Sequence, residues 1–219
     1  MKIDCLAVVF LLNGISIDAS CPNGCSCKNL IEGLNLFCYG RRLKYIPTVP
    51  KDTSKLYMHN NMISTIESNT FINMTNLTIV TLDKNNISII KQFAFVDLPR
   101  LQHININDNQ ITTIERYAFV DTPSLYFMNL TSNPINCDCG VYPFWSWLNE
   151  RKSINVEATC SNGTFITSLG SSELEKCNPD NCQCLNDGEC VMTGSGSVTC
   201  NCTEPWTGEV CQGKYGVIV

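Results

Sequence analysis

From Leu56 to Ile135 the chain repeats one pattern of apolar and polar positions every 24 residues. Leu77, Val80, Leu82, Asn85, Ile87 and Ile90 are answered by Leu101, Ile104, Ile106, Asn109, Ile111 and Ile114. One unit earlier stand Leu56, Met58, Asn61, Ile63, Ile66, Phe71 and Met74, and one unit later Leu125, Met128, Leu130, Asn133 and Ile135. The alternation around each Leu-x-Leu predicts a short strand with one face inward. The Asn that closes it (Asn61, Asn85, Asn109, Asn133) is compact enough to hydrogen-bond the turning loop and the next coil. An unpaired buried amide would cost about 1–3 kcal/mol, so such a residue belongs inside only if it is satisfied. Ile and Phe further along each unit fill the core beneath the returning segment. One unit cannot bury its own apolar face, so units must stack, and stacked strands form a parallel sheet on the inner side of an arc.

On these residues the chain resembles an extracellular leucine-rich repeat protein. The resemblance implies an α/β solenoid, a short curved stack with a parallel concave sheet and disulfide caps. The cysteines extend it. There are 15 in 219 residues, one of them (Cys5) in the N-terminal apolar run, which leaves an even number for pairing. Cys21, Cys25, Cys27 and Cys38, followed by Leu43, Ile46 and Pro47, resemble the N-terminal cap of such proteins, which implies Cys21–Cys27 and Cys25–Cys38. Cys137 and Cys139 after Asn133-Pro134, then Trp147-Leu148, Cys160 and Cys177, resemble the C-terminal cap, implying Cys137–Cys160 and Cys139–Cys177. Zinc is the rival reading of such closely spaced thiols, but Cys-x-Cys fits poorly with tetrahedral knuckles built on Cys-x₂-Cys.

The last six cysteines, with Gly188, Trp206 and Gly208 between them, are similar to an EGF-like β module, implying Cys182–Cys190, Cys184–Cys200 and Cys202–Cys211. Asn178-Pro-Asp180-Asn181 lacks the Glu or Gln of calcium-binding modules, and residues 191–199 hold no Asp or Asn, so calcium ligands are missing. Val210 stands where receptor-activating modules carry Arg before the last cysteine. The expected organisation is a signal peptide over 1–20, an N-terminal cap over 21–52 and repeats over 53–76, 77–100, 101–124 and, in part, 125–136. A C-terminal cap over 137–177, the EGF-like module over 178–213 and a tail over 214–219 follow.

The leader reading rests on Lys2 followed by an apolar run, Cys5 to Leu12, too short to span a bilayer, with Ser16, Ala19 and Ser20 as cleavage candidates. Together with the paired cysteines it predicts secretion and no membrane span. Six Asn-x-Ser/Thr sequons fit that route: Asn73, Asn76, Asn86, Asn129, Asn162 and Asn201. A net charge of −5 and 16% charged residues argue against nucleic acid as a partner. With only two His, no nucleophile–base pattern and no phosphate loop, the sequence predicts no catalytic residue, metal or cofactor.

Binding is the remaining chemistry. Alternation turns outward Lys55, Tyr57, His59 and Asn60; Ile79, Thr81, Asp83 and Lys84; His103, Asn105, Asn107 and Asp108; and Phe127, Asn129, Thr131 and Ser132. Tyr57, Ile79 and Phe127 are the expected anchors, since aromatic and large apolar side chains dominate interface energy. A glycan on Asn129 would push a partner toward the N-terminal half. Trp147 is expected to plug the core from a cap helix, with Trp145 pointing elsewhere as a second contact. The order of cap, repeats, cap and EGF-like module is similar to Slit-type guidance proteins, which implies a receptor ectodomain or matrix protein as partner. A microbial surface in immune recognition, or a homodimer in a matrix, are the alternatives.

Overall fold

The computed structural model describes residues 21–193 and 198–214; the leader and the last residues of the tail lie outside them. A seven-stranded sheet runs along the inner side of the coil. It starts with an antiparallel hairpin, Ser26–Leu30 and Gly33–Phe37. The parallel strands Thr53–Tyr57, Ile79–Thr81, His103–Asn105, Phe127–Asn129 and Asn155–Glu157 follow. Register is constant: Leu56, Val80, Ile104 and Met128 are successive partners, each fully buried under the sheet. Gly33 makes the entry possible. Its φ is +119°, and a Cβ there would stand 3.0 Å from Ser54 Cβ and 3.2 Å from the Asp52 carbonyl oxygen.

The outer turns of the coil carry two narrow three-stranded parallel ribbons. One joins Thr65–Ile66, Ile89–Ile90 and Thr113–Ile114, and the other Phe71–Ile72, Phe95–Val96 and Phe119–Val120. The α content sits in the C-terminal cap, chiefly in the helix Tyr142–Glu150, which starts with Pro143 in its first turn.

Two ladders hold the coils in register. The first is polar. Asn85 accepts the Ile63 N–H at 3.0 Å and donates to the Met58 and Leu82 carbonyls at 3.0 Å each. Asn109 and Asn133 repeat this one and two coils on. Asn61 makes the equivalent bonds to Arg41, Leu43, Cys38 and Met58, which ties the first coil to the N-terminal cap. The coil each amide bridges to is the preceding one, not the next as expected, because the side chain folds back beneath its own strand.

The second ladder is aromatic. Phe71, Phe95 and Phe119 stack at 4.9 and 5.1 Å between ring centroids, and Phe144 and Trp147 of the cap helix continue the row at 6.1 and 5.2 Å from Phe119. The helix orientation leaves Trp147 closing the row, as expected, and corrects the place of Trp145. Trp145 is the more buried, at 6% exposure, and offers no outer contact. Trp147 is half-buried at the end of the phenylalanine row, with Arg151 over its ring at 4.9 Å.

The caps are closed by Cys21–Cys27, Cys25–Cys38, Cys137–Cys160 and Cys139–Cys177. The small C-terminal module holds Cys182–Cys190, Cys184–Cys200 and Cys202–Cys211 around the hairpin Glu189–Met192 and Val198–Asn201. The sulfurs of Cys182, Cys184, Cys190 and Cys200 lie within 4.8 Å of one another, but all are consumed in disulfides, so they offer no thiolate to a metal.

Replacing Asn85 by Ala strands the buried Ile63 N–H and removes two donors from the coil junction. The expected loss is about 2–3 kcal/mol of unfolding free energy, read by denaturant titration with the disulfides intact. An unchanged midpoint would show that the asparagine ladder does not hold the coils.

Candidate functional site

The outward side chains of the inner sheet fall into three rows, because parallel strands in constant register place equivalent residues side by side. The first row runs Lys55, Ile79, His103, Phe127. The second runs Phe37, Tyr57, Thr81, Asn105, Asn129, and ends against Glu157. The third, Tyr39, His59, Asp83, Asn107 and Thr131, lies just beyond the strand ends, where backbone bonds such as Gly40 N–H to His59 O and Asn60 N–H to Asp83 O continue the ladder.

Asn60, Lys84, Asp108 and Ser132 take a different place from the expected one. Each has φ between 52° and 56°, a left-handed turn that carries the chain off the sheet onto its exposed rim. Asn and Asp tolerate that conformation through local hydrogen bonding; Lys84 has no such help.

The N-terminal end of the surface is aromatic. Phe37 and Tyr57 stack at 5.1 Å with ring planes 4° apart, and Tyr39 and His59 stack at 4.8 Å and 5°. Phe37 meets Tyr39 edge-on at 6.5 Å, which joins the two pairs. Phe37 and Tyr39 come from the N-terminal cap and were absent from the expected site. Their signal was present: Leu36-Phe37-Cys38-Tyr39 alternates as Leu56-Tyr57-Met58-His59 does, but twenty residues away instead of 24.

The middle is polar. Asn105 Nδ2 reaches Asp83 Oδ1 at 3.4 Å, and Asn107 Nδ2 donates to Asp108 Oδ2 at 2.7 Å. Thr81 Oγ1, His103 Nδ1 and Asn105 Oδ1 are shielded from water and have no hydrogen-bond partner among the described residues. Lys55 is already engaged: it bonds Glu32 at 3.0 Å, and that hydrogen bond, then the Glu32 charge, raises its pKa above the ordinary lysine value. The C-terminal end carries Phe127, edge-on to His103 at 6.0 Å, and His103 Nε2 shares a 2.7 Å hydrogen bond with the exposed Tyr126 hydroxyl. His59 and His103 thus stand in different rows, each engaged with an aromatic neighbour.

Asn129 lies on this surface, in the aromatic–polar row. Its Oδ1 accepts from the Thr131 N–H at 3.0 Å and hydroxyl at 2.7 Å. Asn73, Asn86, Asn162 and Asn201 are exposed elsewhere, and Asn76 is half-buried.

Comparison with known proteins adds the family context. Residues 75–135 match the model for the leucine rich repeat, and residues 177–210 the model for the EGF-like domain. The chain therefore carries leucine-rich repeats, disulfide-closed caps and an EGF-like domain. Lumican from Coturnix japonica is 43% identical over 65 residues, which is 30% of this chain and 19% of lumican. The peroxidasin homolog pxn-2 from Caenorhabditis elegans is 36% identical over 73 residues, 33% of this chain and 5% of that protein. The chain spans less than a fifth of the length of either relative. Among solved structures it is similar to a chain in an octameric complex of Latrophilin 3 (Lec, Olf), Unc5D (Ig, Ig2, TSP1) and FLRT2 (LRR). The TM-score is 0.50 at 23% identity, over 57% of this chain and 40% of that one, a likeness of fold. Among the described residues no helix is long and apolar enough to cross a membrane.

With Oδ1 held by Thr131, Asn129 presents its Nδ2 for a glycan. Peptide mapping of the chain expressed through a glycosylating secretory route is expected to find Asn129 occupied, confining a partner to the first three coils. An unmodified Asn129 would leave the whole arc open.

Proposed function

We propose that this chain is a secreted module that holds an extracellular protein, a receptor ectodomain or a matrix component, on its inner sheet, in the manner of Slit-like guidance or signalling ligands. The observation that carries the reading is the aromatic block of Phe37, Tyr39, Tyr57 and His59 on the inner face of the arc, where Tyr39 is 50% exposed. The core does not need these rings, since Leu36, Leu56 and Met58 lie fully buried beneath them. Aromatic side chains already fixed by stacking lose little freedom on binding, which is the property that makes such residues energetic centres of interfaces.

The surroundings favour a macromolecule over a small ligand. The face is shallow and spread over several strands, whereas small-molecule sites are deep and enclosed. Seven disulfides and six sequons support an oxidising, glycosylating route. In this reading the EGF-like domain extends the chain beyond the arc as a spacer or secondary contact.

The test is a binding screen of the glycosylated mature chain against a panel of purified extracellular ectodomains and matrix proteins, in parallel with Tyr57→Ala. The expected result is saturable binding of a panel member that Tyr57→Ala weakens by about thirtyfold, the effect of losing one interface anchor. Equal binding by both chains would reject the placement of the site on the N-terminal half of the arc.

A further inference from the structure

The aromatic block ends abruptly, and the way it ends specifies what fits there. Tyr57 is backed on one side by Phe37, at 5.1 Å and 4°. Its neighbour on the other side is Thr81, and the next residue in the row is Asn105. Tyr57 and Asn105 are therefore two strand spacings apart, about 9–10 Å, with only a short threonine between them. Two rings 4° from parallel with centroids 5.1 Å apart form an offset stack across neighbouring strands, so the ring face of Tyr57 that Phe37 does not cover is turned toward the Thr81 side. Along the strand, Thr81 is flanked by Ile79 and Asp83 on the same outward side.

The slot has a definite chemistry. One wall is an aromatic face, one edge is aliphatic at Ile79, and the opposite edge is the Asp83 carboxylate. Among the described residues Asp83 has no ion-pair partner, and the one hydrogen bond to its carboxylate is the long 3.4 Å approach of Asn105 Nδ2. On the floor, Thr81 Oγ1 and Asn105 Oδ1 lack partners. The Asn105 oxygen can only accept, and the Thr81 hydroxyl can accept as well as donate. A complementary group must be planar to continue the stack, cationic to meet Asp83, rich in N–H donors, and carried on an apolar stem.

On these grounds we propose that the slot between Tyr57 and Asn105 seats an arginine side chain of the protein partner. The guanidinium stacks on Tyr57 and presents its fork to Asp83, while the methylene stem lies along Ile79. Small rotations of Thr81 and Asn105 turn their free oxygens to the remaining N–H groups. Lysine satisfies only part of this, because its ammonium is a compact charge that cannot stack or fork. The proposal rests on the reading of the inner sheet as a protein-binding face, and it names the partner chemistry that face selects.

The probe is a random linear peptide library displayed against the immobilised mature chain, followed by synthetic copies of the enriched sequences. The expected result is enrichment of a fixed arginine whose replacement by citrulline or by lysine weakens binding at least about tenfold. Asp83→Asn is expected to weaken it to the same extent, and Glu204→Gln, an exposed acid on the EGF-like domain, to leave it unchanged. Peptides that lose binding to Tyr57→Ala yet tolerate Asp83→Asn and citrulline would overturn the arginine seat and leave the binding face in place. Equal binding of the lysine and arginine versions would overturn it too, as would a library that enriches nothing. Peptides indifferent to both Tyr57→Ala and Asp83→Asn would overturn the seat and the face together.

Discussion

A coil of this chain has no interior until another coil lies against it. Each strand buries one residue in two, each outer turn contributes an Ile or Phe, and neither element can cover the other within a single 24-residue unit. Stability is therefore held at the junctions between coils. The asparagine ladder makes those junctions specific. An apolar core alone would allow neighbouring coils to slide, whereas Asn85 can satisfy Ile63 N–H, Met58 O and Leu82 O only in one register. The phenylalanine row adds contact area to the same alignment, and Phe144 and Trp147 end it where the outer turn of a fourth full repeat would otherwise be needed.

Because register is fixed from beneath, the upper surface of the sheet is released from any structural duty. The inward positions are Leu, Val, Ile and Met, and the outward ones range from Lys55 and Tyr57 to Thr81, Asn105 and Phe127. The N-terminal cap shows how a structural device becomes part of the surface. Its hairpin closes the first coil by pairing Phe37 with Tyr57, and the same pairing lays Phe37 and Tyr39 alongside Tyr57 and His59. The cap therefore both shields the core from water and supplies half of the aromatic block.

This division explains what could be read in the sequence. The period of 24, the inward columns and the buried asparagines were legible because each repeats several times and each answers a strict physical need. The outward rows through Lys55, Tyr57 and His59 followed from alternation alone. The cap's share of the surface was not legible, since its unit is twenty residues from the next and breaks the period of 24. The rim residues Asn60, Lys84, Asp108 and Ser132 were misplaced because alternation counts residues and does not sense a left-handed turn. The burial of Trp145 was missed for a related reason. Two residues on a helix differ by about 200° in direction, but which of them faces the core depends on how the helix docks, and a single short helix carries no repeat to fix that.

Preorganisation links the fold to the use proposed for it. A side chain that must be ordered on binding costs about 0.5–1.5 kcal/mol, and four aromatic rings ordered in advance by a stiff ladder avoid that cost at the point where a partner would first make close contact. The contrast with the other end of the arc is informative. There the second row closes on Asn129, whose Oδ1 is bound by its own Thr131, beside the exposed Glu157. One end of the row thus offers ring faces and unsatisfied acceptors above a rigid core, while the other offers a sequon and a solvated carboxylate. In the use proposed for this face, a partner would gain most at the Tyr57 end, and the small side chain of Thr81 beside it leaves room where an inserted group can continue the aromatic stack.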